Sequence, residues 1–215
     1  METPPSAVQP GVVEPVSTAV PSPSPTVASA PTALSPAAAT LISPQASFKE
    51  RRELWQKVKE AGQLDRVVAE LKQRATETPD DAYLQTALGV GLMNKFPVSD
   101  FNEAAKLGLE IDQSFDAALK VDPTNWEAQY EKANSMSYWP DAAGDKGPEI
   151  IQRLSNLIDQ QDKMTSQPEF AKAYVLLGKQ YKKAGNPDYA QATWQIGLTR
   201  FPGDSALQKL AGASR

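Results

Sequence analysis

The side chains best suited to acid–base chemistry in this 215-residue chain are three neighbouring carboxylates, Asp141, Asp145 and Glu149. Nothing accompanies them. The chain has neither cysteine nor histidine, so it lacks a disulfide, a thiolate metal site, a thiol nucleophile and the commonest general base and metal ligand. No phosphate-cradling glycine loop lies nearby, and the aspartates around Gly144 lack the spacing of a calcium loop. The residue types therefore argue against an enzyme, and no catalytic residue, metal or cofactor is expected. The Tyr138-Trp139-Pro140 segment just before them is a loop aromatic pair, a type of residue that anchors partners at interfaces but more often packs beneath its own loop.

The elements that must position these residues are helices. Over Ala171 to Asp204 large and small apolar residues recur at offsets of three, four and seven, the pattern of an amphipathic helix. Tyr174, Leu177, Gly178 and Tyr181 share one face; Ala190, Trp194 and Gly197 share another. Gly185-Asn186-Pro187 separates the two runs and Pro202 closes the second. The small residues would let two helices cross closely while the large rings fill the space around the crossing. This arrangement resembles the tetratricopeptide repeat (TPR) family, a helix–turn–helix unit of about 34 residues. Tyr174, Leu177-Gly178, Tyr181, Ala190, Trp194, Gly197 and Pro202 together meet all of its expected positions.

Weaker copies precede this unit. Ser47 with Glu50 forms a capping box, opening a helix to about Ala61 that Gly62 stops; a partner helix runs from about Leu64 to Glu77. The next pair spans Asp81–Lys95, with Leu88-Gly89 and Leu92 at the matching offsets, and a long helix Phe101–Val121, with Asp100 and Glu103 as its cap. Gly89 to Pro123 is ten residues longer than the equivalent stretch of the last unit, which predicts a lengthened second helix. Thr124 with Glu127 is expected to cap a third unit, with Trp126, Gln129, Ala133 and Met136 on one face and a second helix from about Pro148 to Gln161. Ser166 with Glu169 would cap the last unit, and Asp204–Ala211 reads as a short helix covering the end of the stack. The resemblance implies an all-α, right-handed α-solenoid of about four TPR-like hairpins plus a C-terminal capping helix over residues 47–211, with 212–215 as a disordered end.

Residues 1–46 differ from the rest. Proline, alanine, serine, threonine and valine dominate, the only charged side chains are Glu2 and Glu14, and the first aromatic is Phe48. Recurrent proline removes backbone donors and biases preceding residues away from helix. Such a segment cannot bury enough surface to offset its ordering entropy, so it is expected to be a disordered linker. The alternative is a ligand for proline-recognising domains or a target for phosphorylation at Ser22, Ser24, Ser35 or Ser43. It lacks the basic start and apolar centre of a signal peptide. A cytoplasmic location is the default, and an exported or periplasmic one the alternative if a signal or anchor has been removed.

The TPR resemblance implies a non-catalytic scaffold or adaptor whose first helices line a concave groove that binds a peptide segment of another protein. On that geometry the groove offers Lys49, Arg52, Gln56 and Lys59 from the first unit and Tyr83, Thr86, Val90, Met93 and Asn94 from the second. The third offers Glu127, Tyr130, Asn134, Ser137 and Tyr138, and the last Lys172, Val175, Lys179, Lys182 and Lys183. The expected contacts are Tyr83, Asn94, Tyr130, Asn134, Lys172 and Lys179. Asparagine amides would bond the partner's backbone, tyrosines would pack its side chains, and the basic ends would favour an acidic segment. A net charge of −4 argues against nucleic acid, and no apolar run reaches the roughly 18 residues of a membrane span. A monomer is expected. The rival readings are a structural protein that self-associates through its end helices and a cell-envelope accessory protein tethered by its N-terminal linker.

Overall fold

In the computed structural model, residues 33–96, 101–139 and 144–212 are described. Among them the regular structure is entirely helical. The helices are α1 (Pro36–Leu41), α2 (Phe48–Glu60), α3 (Leu64–Glu77), α4 (Ala82–Lys95), α5 (Phe101–Val121), α6 (Trp126–Met136), α7 (Gly147–Gln161), α8 (Ala171–Lys183), α9 (Pro187–Arg200) and α10 (Ser205–Gly212). They pack as four successive hairpins, α2/α3, α4/α5, α6/α7 and α8/α9, with α10 laid on α9 and α8. This is the solenoid of hairpins with a terminal capping helix that the repeats predict.

Local chemistry sets most helix ends. The Ser47 Oγ accepts from the Glu50 N–H at 3.2 Å while the Glu50 carboxylate accepts from the Ser47 N–H at 2.7 Å, closing the predicted capping box. Asp81 caps α4 through the Leu84 N–H at 3.0 Å. Gly62 and Gly185, at φ +65° and +78°, follow α2 and α8 in the left-handed conformation that ends helices. Two predicted caps differ. Asn125, not Thr124, caps α6 by accepting from the Ala128 N–H at 3.0 Å, and Glu127 faces inward instead of back along the helix. Before α8 the chain forms a short 3-10 turn, Pro168–Phe170, so Ser166 and Glu169 do not cap it. The Asp100 cap lies outside the described residues.

Packing follows the small-residue positions. A Cβ on Gly89 would lie 2.7 Å from the Phe115 ring, and one on Gly197 would lie 2.7 Å from Tyr174 Cβ. A Cβ on Gly178 would collide with the Trp194 indole, whose N–H donates to the Val175 carbonyl at 3.3 Å. These contacts leave no room for any side chain, so the crossings require glycine. The long α5 places Leu107, Ile111 and Phe115 in the core at helical spacing. Its Asp112 and Asp116 reach Lys132 of α6, a buried lysine.

Helical structure occurs before residue 47, within the stretch expected to be linker. The α1 helix begins with Pro36 in its first turn, where the missing N–H costs nothing. Its Ser35 side chain caps Ala38 and donates to Glu70 of α3 at 2.5 Å. Ala38 and Leu41 are fully buried against α2, α3 and α4. The proline-rich composition hid this turn: alanine, threonine and leucine in PAAATL suffice for a single helical turn once a neighbour buries its apolar face.

Candidate functional site

The α2 helix joins two cores. Its C-terminal half, with Trp55 and Val58, packs into the cluster built from α1 to α5, while Phe48 at its start packs into the cluster of α6, α7 and α8. Phe48 meets Trp126 and Tyr130 edge-on at 5.4 and 6.2 Å, and those two rings stack at 5.2 Å. One turn along, Arg51 donates from Nε to Glu127 Oε2 at 2.7 Å, pairs with the same carboxylate through Nη2, and bonds the Ser43 and Ala46 carbonyls through Nη1. Both partners are buried, and the Arg51 guanidinium also lies over the Tyr83 ring. Arg52, the next residue, reaches Glu131 at 3.6 Å. An arginine pair on α2 thus meets a glutamate pair one turn apart on α6.

Beside this contact lies a cavity of about 540 Å³, lined by Trp55, Arg52 and Gln56 of α2; Val90, Met93 and Asn94 of α4, with Phe96; Gly108 and Ile111 of α5; and Glu131, Asn134 and Ser135 of α6, with Tyr138 and Trp139. Its volume matches sites that enclose a compact ligand or a few residues of chain. One side is aromatic and aliphatic; the other carries amides and a charge pair. Asn94 donates to its own helix at the Val90 carbonyl (3.0 Å) and Asn134 donates to Glu131 (3.0 Å). Each therefore turns its NH2 to the protein, and each amide oxygen is without a donor among the described residues. Glu131 is 4% exposed. Burial pushes its carboxyl up from the ordinary range, against the Asn134 hydrogen bond and the Arg52 charge, and the neighbouring Glu127 adds to the rise.

The predicted contacts separate on this geometry. Asn94 and Asn134 both line the cavity, as do Arg52, Gln56, Val90, Met93 and Tyr138. Tyr130 is 8% exposed and belongs to the aromatic core, with burial driving its phenol well above the usual range, so its ring is not a free surface. Tyr83 is half-buried beneath Arg51. Lys172 is half-buried, and desolvation with the nearby Arg52 charge pushes its ammonium down. Lys179 is exposed and lies outside the cavity lining. Arg52, expected at a basic end of the groove, is met internally by Glu131, and its neighbour Arg51 by Glu127. Of the acidic trio, Asp145 accepts from the Gly147 N–H and Glu149 pairs with Arg153 and Lys146, while Asp141 lies outside the described residues. Among the described residues no cluster of carboxylates has the arrangement of a metal site, and no helix is long and apolar enough to cross a membrane.

Glu131, Trp55, Ile111 and Phe96 were not anticipated at the site. Trp55 and Ile111 belong to the core cluster and line the cavity as well. Glu131 shares its helix face with Glu127, Ala128, Asn134 and Ser135, a largely polar face that gives no sign in the sequence of its burial.

No protein-family model matches the chain, and no curated protein matches it. Solved structures do. The crystal structure of MamA aligns over 74% of this chain and 81% of its own, at 19% identity and a TM-score of 0.55. A thermophilic TPR protein of Thermus thermophilus aligns over 74% and 77%, at 16% identity and a TM-score of 0.59. The MamA RS-1 ArsTM double mutant aligns over 84% of both chains, at 18% identity and a TM-score of 0.54. At such identities the likeness is one of backbone architecture. The chain has the fold of a tetratricopeptide-repeat solenoid.

Proposed function

We propose that the protein is a non-catalytic scaffold that receives a segment of another protein in the cavity between α2, α4 and α6. The observation that carries this reading is the pairing of two amide oxygens without donors among the described residues, on Asn94 and Asn134, with an apolar wall of Trp55, Val90, Met93 and Ile111 in one concave site. A peptide presents N–H donors along its backbone and alternating side chains to either side, and such a site offers acceptors for the first and packing for the second. Affinity would rest on a few anchored side chains rather than on total area. Residues 1–32 would act as a spacer that gives reach.

A photo-crosslinking amino acid at Tyr138, which lines the cavity and is 70% exposed, should capture a partner that the same probe at exposed Lys179 does not. Asn94→Leu with Asn134→Leu should abolish that capture at a temperature where the variant is still folded, its melting temperature being lowered because Asn134→Leu takes a hydrogen bond from buried Glu131. Equal capture at both positions, or capture untouched by the double variant, would remove the cavity as the binding site.

A further inference from the structure

The cavity holds an acid whose charge is incompletely answered. Glu131 lines it, is all but excluded from solvent, and accepts one hydrogen bond from a neutral amide, Asn134 at 3.0 Å. Its nearest cation, Arg52, stands at 3.6 Å, beyond hydrogen-bond range, with a side chain 51% exposed that makes no hydrogen bond among the described residues and lies over the Phe48 ring. Contrast Glu127 one turn away, which Arg51 grips through two nitrogens. A buried carboxylate with only a distant, half-solvated partner is costly to keep. Lys172 of α8 also acts on Glu131, but it is itself half-buried and lies outside the cavity lining.

The rest of the lining completes one kind of receptor. The Asn94 and Asn134 amide oxygens accept hydrogen bonds, and the Trp55, Trp139 and Phe96 rings form apolar and π-faced walls. Trp139 already carries a cation, the Lys146 ammonium, at 5.4 Å from its ring centroid. Acceptor oxygens, a carboxylate and aromatic faces together suit an alkyl stem ending in a positive charge. An anion placed there would sit against Glu131 and would find Arg52, the one lining cation among the described residues, at the solvent edge. Resting on the scaffold reading above, we infer that the cavity selects a basic side chain, lysine or arginine, as the anchor of the bound segment. The cation would pair with Glu131 while Arg52 turns to solvent. This reverses the acidic partner that the lysine-rich face suggests.

The test uses the full chain and three capped tripeptides, acetyl-Leu-Arg-Leu-amide and its norleucine and glutamate analogues, titrated by calorimetry and by tryptophan fluorescence. The arginine peptide should bind about tenfold or more tighter than either analogue, a difference that added salt reduces. In Glu131→Gln, whose side chain keeps the shape, the arginine peptide should fall to the level of the norleucine peptide. The peptide series on the unaltered chain decides the point even if that variant fails to fold. Equal or tighter binding of the norleucine or glutamate peptide would overturn the basic preference and leave the scaffold reading standing. So would an arginine preference that survives in folded Glu131→Gln. No binding of any peptide at about 5 mM, a concentration at which even affinities near −3 kcal/mol register, also overturns it. The scaffold reading itself is decided separately, by the Tyr138 crosslinking outcomes given above.

Discussion

The last hairpin and the α2–α6 contact hold the same solenoid together by opposite means. In α8/α9 the crossing is made by Gly178 against Trp194 and Gly197 against Tyr174, residues close in sequence whose sizes complement each other. In the α2–α6 contact, Phe48, Arg51 and Arg52 reach helices more than seventy residues away, and charges do much of the work: Arg51 with Glu127, Arg52 with Glu131. The first is apolar, local and rigid, as a repeat requires. The second buries polar groups that a simple stack would leave in water, and it lies directly beside the cavity. Expensive polar burial adjoining a pocket is where a fold departs from what stability alone would select.

The comparison can be broken most sharply at its apolar end. Trp194→Ala should cost roughly 3–5 kcal/mol in a denaturant titration, because the cavity left beside Gly178 cannot collapse. A loss below about 1 kcal/mol would show that the crossing does not depend on the ring. At the polar end, Arg51→Met should cost about 3 kcal/mol, since Glu127 would be left buried without its cation. Adding Glu127→Leu should restore most of that loss, because an apolar pair of similar volume needs no desolvation. If the double variant is as unstable as the single, the salt bridge is not the reason Arg51 matters.

A smaller effect tests where the solenoid begins. Leu41→Ala should cost about 2 kcal/mol as a buried truncation, and a chain starting at residue 47 should lose at least as much, whereas one starting at residue 33 should melt as the full chain does. Equal melting of all three would return α1 to the linker.

The smallest expected effect concerns pH. The folded-state pKa of Glu131 is raised by burial above its unfolded value, so the folded protein holds this proton more tightly. Its contribution to stability is complete below the ordinary carboxylate range and is lost as pH rises through the raised folded value. Glu50 and Glu70 run the other way: hydrogen bonds from the Ser47 backbone and the Ser35 hydroxyl hold them below the usual range. Their stabilisation is present above the unfolded value and is lost on acidification through the lowered one. Subtracting the melting profile of Glu131→Gln from that of the unaltered chain isolates the first term. The variant should gain on wild type as pH rises from the ordinary carboxylate range toward neutrality. A difference independent of pH would mean that Glu131 is not titrating in the fold.

How far the sequence could be read follows from the range of the interactions. Tyr174, Leu177, Gly178, Ala190, Trp194 and Gly197 announce their packing because each one's partner lies one hairpin away, and a hairpin's register is set by helical periodicity. Ser47, Asp81 and Gly62 announce helix ends because a cap acts within one turn. Asn94 and Asn134 could be placed on the cavity because they fall on the first helices of their units. Tyr130 occupies an equally suitable position, yet its ring is claimed by Trp126 and Phe48, the latter from a helix two hairpins earlier.

By itself, then, the sequence determined the helices, the hairpins and the repeat, all of which rest on interactions within one or two turns or between adjacent helices. The tertiary structure alone decided three things: that PAAATL becomes a helix, that Arg51 and Arg52 are met by Glu127 and Glu131, and that the concave face narrows to a cavity with a carboxylate inside it. Each depends on groups brought together from distant parts of the chain. Burial, which changes what a charge costs and what a ring can touch, is not a property of any one stretch of residues.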